Sequence, residues 1–163
     1  MTPRNMTVTG LLAALIAISG SLKMPGIIPG TEFQLSAPLA VAICAVYGFR
    51  RYFVAGILAS IVTLLLGTQT LLNTAIALLF RVTIGLVLVV CGTAWPVVVI
   101  AGPIASFLAR LSLMGIMGQA AWAVIAAAIP GMIYTAFTAW PLTLMIRRIR
   151  RETERMREHV VQR

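Results

Sequence analysis

The stretch LLNTAIALLFRVTIGLVLVVC, running from Leu71 to Cys91, holds a single charged residue, Arg81. As a helix it would be roughly 32 Å long at about 1.5 Å per residue, enough to cross a hydrocarbon layer about 30 Å thick. Closed by Gly92, it reads as a spanning helix. Working outward from it, five more apolar segments follow the same pattern: Val8 to Leu22, Leu35 to Phe49, Phe53 to Leu66, Trp95 to Leu111, and Gln119 to Ile146. Pro130 and Pro141 fall inside the last and can kink it. The expected fold is all-α, a bundle of six transmembrane helices.

Composition agrees. The chain is 60% hydrophobic and 10% charged, too little charge for a water-soluble domain of 163 residues. Six spans fill residues 1–146, leaving no room for a soluble domain, and residues 147–163 form a basic tail, expected to be helical. The net charge of +9 does not indicate nucleic-acid binding, because seven of the thirteen cations lie from Arg147 onward. Cationic loops and termini mark the cytoplasmic face. Arg4, Arg50, Arg51 and the tail share one side in a six-span chain, so both termini are expected in the cytoplasm and the protein in the cell membrane. Met1 to Ser21 has the outline of a secretory signal and is read as a retained first helix.

The remaining polar groups are unevenly placed. Glu32 is the only acidic residue before Arg147. With this topology Lys23, Glu32, Gln34, Gln69, Asn73, Arg81, Arg110 and Gln119 all fall in the outer half of the membrane. The inner half, apart from its arginines, is apolar. The pattern suggests a polar pocket opening outward above an apolar plug. A charge at the centre of a spanning helix costs roughly 2.5–3.5 kcal/mol on insertion scales, so Arg81 should face the bundle interior and have a partner. Asn73, Ala77, Arg81 and Gly85 recur every four residues and share one helix face. Three roles stay open for Arg81: ligand contact, an ion pair with Glu32, or snorkelling to the outer headgroups. Glu32 and Gln34 follow two Pro-Gly turns, which suit either a loop folded over a cavity or a plain solvated connector.

Along the first helix Gly10, Ala13, Ala17 and Gly20 make a small-residue stripe that lets another helix approach closely, from this chain or from a partner. No phosphate-cradling glycine loop, metal-ligand motif or Ser/His/Asp set is present, and His159 is the only histidine. No acidic residue lies mid-membrane for a proton relay. The chain therefore reads as a binder without a cofactor, a metal or catalysis, and without an energy source of its own.

Three features resemble the substrate-binding S components of energy-coupling factor transporters. The run Ala13-Ala14-Leu15-Ile16-Ala17 is similar to the A-x-x-x-A signature with which that family docks on its coupling subunit. The loop from Pro29 to Ser36 leads into a helix ending Tyr47-Gly48-Phe49-Arg50-Arg51. The run from Asn73 to Gly85 looks like the opening of the family's fourth helix. The resemblance implies a six-helix protein that captures a vitamin or similar micronutrient from outside. It would then topple to release it inward, with a transmembrane coupling subunit and cytoplasmic ATPases supplying the energy. On this reading Arg81 anchors an anionic ligand, and Asn73 and Gln34 orient it. Phe33 or Trp122 packs on a ring, and Glu32, Gln69, Arg110 and Gln119 complete the outer polar set. A membrane scaffold of the rod-shape-determining type, with similar length and span count, is the alternative.

Overall fold

The computed structural model describes residues 3–25, 32–34, 36–112 and 114–161. Among these, six long helices account for most of the chain: α1 (Pro3–Ser21), α2 (Ser36–Tyr47), α3 (Phe49–Leu65), α4 (Leu71–Cys91), α5 (Trp95–Leu111) and α7 (Ala120–Val161), with a four-residue α6 (Met114–Met117) before the last. The helical class expected from the sequence holds, with one addition. In the first loop, β1 (Lys23–Pro25) pairs antiparallel with β2 (Glu32–Gln34), setting Met24 opposite Phe33.

Local chemistry sets several boundaries. Thr70 caps α4 by accepting the Asn73 N–H at 3.2 Å, satisfying one of the donors that a helix start leaves free. A proline in the first turn opens α5, where its missing N–H loses nothing. The sequence suggested a sixth span followed by a helical tail. The two are one continuous helix of 42 residues, roughly 63 Å long.

Two helices, α4 and the long α7, are long and apolar enough to cross a membrane by length and composition. The other apolar helices are shorter, and α2 shows why that need not expose polar backbone. Its twelve residues touch all five other long helices, and Val41, Ala42 and Ile43 are fully buried. It is the hub of the bundle.

Interior and exterior are both apolar, unlike those of a soluble protein. The interior relies heavily on small residues, Ala40, Ala55, Ala59, Ala101, Ala105 and Ala139 among them, which let helix backbones approach closely. Large aliphatic and aromatic side chains cover the exterior, including Leu65 at 81% exposure, Leu86, Val90 and Phe137. A soluble monomer rarely exposes apolar surface on this scale.

Arginines tie one end of the bundle together. Arg51 donates to the Asn5 side chain at 2.9 Å. Arg150 donates to the Val46 carbonyl at 2.6 Å, filling an acceptor that the end of α2 leaves free, and lies over the Tyr47 ring. Arg147 donates to the Thr93 carbonyl at 3.2 Å and lies over Trp140. The start of α1, the α2–α3 and α4–α5 junctions and the second half of α7 therefore gather at this end. The candidate site opens at the other.

Candidate functional site

Where α1, α3 and α5 end and α2, α4 and α7 begin, the helices part around a cavity of about 160 Å³. Helix α4 supplies one wall through Asn73, Ile76, Ala77, Phe80 and Arg81. Burial along it increases steadily: Asn73 is exposed at the mouth, Ala77 is half-buried, and Arg81 is only 7% exposed. Ser106 and Arg110 of the neighbouring α5 also line the cavity. Gly131 and Thr135 of α7, Tyr52 of α3 and Gly20 of α1 complete the enclosure, with Gln69 from the α3–α4 connection.

Among the described residues Arg81 makes one hydrogen bond of good geometry, to a neutral partner. Its Nη1 donates to the Ser60 hydroxyl at 2.7 Å, and among the described residues no carboxylate pairs with it. A serine hydroxyl orients a guanidinium without neutralising it. Arg110 is occupied differently: it donates to the Ser106 carbonyl at 3.2 Å and to the hydroxyl of the same residue, both within its own helix. Two arginines in one cavity with no described acidic neighbour create a positive field that favours anions. Two further groups remain unsatisfied. The Tyr52 hydroxyl and the Gln69 carbonyl oxygen are buried without a hydrogen-bond partner. Most buried polar atoms are satisfied, so two unpartnered ones lining one cavity offer a ligand hydrogen-bonding capacity that the described residues do not use. Among the described residues no group of three His, Cys, Asp or Glu side chains converges on a metal position.

Close backbone approach makes room for the arginine. A Cβ at Gly56 would overlap the Nε and Cδ of Arg81. The residue that lets Arg81 lie flat inside the bundle is therefore a glycine on the neighbouring helix. Gly56→Ala is expected to push the guanidinium off its seat on Ser60 and weaken the cavity's binding of any anion about 10-fold, as a displaced charge-assisted bond would. Titration calorimetry on the purified variant reads this, and unchanged affinity would show that Arg81 needs no such notch.

The sequence-derived candidates divide. Arg81, Asn73, Gln69 and Arg110 line the cavity. Trp122, 53% exposed, and Gln119, also exposed, lie outside its lining, so Trp122 offers no ring to a ligand there. The aromatic side chains at the cavity are Phe80 and Tyr52. Glu32, Phe33 and Gln34 form β2 by their backbone, and their side chains lie outside the described residues. Gly85, on the same face of α4, is outside the cavity lining and packs against Phe49 of α3. The α1 stripe also splits. Ala13 belongs to the buried core, Gly20 lines the cavity, Ala17 is half-buried, and Gly10 is exposed. Because α1 packs mainly on α3, its inward small residues serve this chain's own packing.

Sequence reasoning missed Tyr52, Phe80, Ser106 and Thr135. Phe80 precedes Arg81, and its place one position off the four-residue stripe was a usable signal. Tyr52 follows Arg50 and Arg51 and so read as part of the cytoplasmic end. Nothing local marks it as a cavity residue.

No family model matches the chain, and no solved structure matches it. It is 52% identical over 136 residues to Protein BioX of Lysinibacillus sphaericus, an alignment covering 83% of this chain and 82% of the relative.

Proposed function

The chain belongs to the BioX family, and on that premise we propose that it is a membrane-embedded binding protein for a small vitamin-like carboxylate, with biotin as the first ligand to test. One observation carries the reading: a buried guanidinium, Arg81, hydrogen-bonded among the described residues to a serine alone, faces a cavity lined by a second arginine and two polar atoms without a well-formed hydrogen bond. An anionic ligand would neutralise the charge and fill the orphaned bonds together.

The apolar exterior and the arginine-tied end support a six-span arrangement with the cavity opening outward, away from the cytoplasm. Nothing in the sequence cradles a nucleotide phosphate, so transport would draw its energy from other subunits. The S-component resemblance supplies a coupling subunit and ATPases for that role. With Ala13 and Gly20 turned inward, the surface of α1 free for docking runs through Gly10 and Ala14, both exposed. The protein is proposed to act as a receptor and not as an enzyme.

The test is thermal. Biotin at about 100 times its dissociation constant should stabilise the purified protein by about 2.7 kcal/mol, a rise of several degrees in melting temperature. If neither biotin nor any other carboxylate vitamin moves the transition, the receptor reading fails and a scaffold gains ground.

A further inference from the structure

A guanidinium has five N–H donors in a fixed fork. Arg81 commits one of them to a protein acceptor among the described residues, although the residue is almost fully buried. The Tyr52 side chain is completely buried beside it, its hydroxyl within reach of the guanidinium but making no hydrogen bond of good geometry, so its O–H remains free to donate. A phenol donor and a free guanidinium edge in one place form a seat for a carboxylate, whose two oxygens accept several hydrogen bonds at once. Arg110 is the poorer seat, because Ser106 already takes two of its bonds.

Depth then sets direction. Arg81 lies ten residues into α4, about 15 Å from the end at the mouth. Arg110 is in the last turn of α5, at the mouth itself. From this geometry we infer that the ligand enters acid end first, with its carboxylate on Arg81 and the Tyr52 hydroxyl and its other end toward the opening. Tyr52 is then a residue that selects free acids and refuses acid-blocked derivatives. The inference rests on the receptor reading above and adds to it the orientation of the ligand and the residue that enforces it.

Matched pairs of free acid and methyl ester test this: biotin, lipoate and nicotinate, titrated calorimetrically into the full chain in lipid nanodiscs. The bound acid should exceed its ester about 50-fold in affinity, the scale of a charge-assisted hydrogen bond or more. Tyr52→Phe should weaken the acid about 5- to 10-fold and leave the ester unchanged, since only the acid uses the hydroxyl. An ester that binds as tightly as its acid overturns the orientation while the receptor reading stands. So does a Tyr52→Phe effect equal for both forms. The ester comparison uses the unaltered chain and does not depend on the variant folding. If no acid and no ester in the panel binds, the receptor reading falls and the orientation with it.

Discussion

Arg81→Leu is expected to abolish carboxylate binding, at least about 100-fold in affinity, while leaving the protein as stable as before or more so. The two effects have one cause. A buried guanidinium with no carboxylate partner among the described residues is a liability to the fold, and replacing buried ionic groups by apolar ones of similar volume is often neutral or stabilising by about 1–4 kcal/mol. The same unpaired charge is what an anionic ligand meets, so its removal deletes the strongest contact in the cavity. Arg81→Lys separates charge from geometry. Lysine keeps a point charge without the fork, so binding should weaken without disappearing. Calorimetric affinity and melting temperature, measured on the same preparations, check both halves. Retained binding with a lowered melting temperature would mean that Arg81 serves the fold instead of the ligand.

Gly85→Val should have the largest effect on stability, a loss of about 3 kcal/mol, the upper range for overpacking a filled interior. The cause lies one helical turn below the site. A Cβ at Gly85 would fall onto the Phe49 ring, with Cγ, Cδ2 and Cε2 all inside normal contact. Phe49 in turn packs against Phe53 with ring centroids 5.3 Å apart, which restricts its retreat. Phe49→Ala should restore much of the lost stability in the double variant, a coupling expected for residues in direct contact. Ligand affinity of the folded fraction should hold, because Gly85 does not line the cavity. Denaturation in detergent reads the first two outcomes and calorimetry the third. A Gly85→Val protein as stable as the parent would contradict the close approach of α3 and α4.

These variants act on the same face of α4 with opposite results. Along that helix Asn73, Ala77, Arg81 and Gly85 share one face, which was legible from spacing alone. Helix α3 borders that face at both levels, and its side chains decide how the face divides between ligand and packing. At Arg81 the face meets a cavity and Gly56 of α3 makes room for the arginine; one turn on, Gly85 makes room for the Phe49 ring of α3. The α1 stripe likewise meets different surroundings along its length, and its spacing was visible where its neighbours were not.

By itself the sequence determined the helical class, the limits of α4 and α5, the end of the bundle that collects arginine, and the few polar groups that stand out in apolar surroundings. These follow from composition and from the free-energy cost of placing charge among apolar groups, and neither depends on which helix neighbours which. Only the tertiary structure decided that Tyr52 joins Arg81, that Trp122 stands apart, and that Ala13 packs inward. The physical reason is that interior and exterior are both apolar here. The usual contrast between a wet face and a dry face is missing, so periodicity shows which residues share a side but not what that side meets.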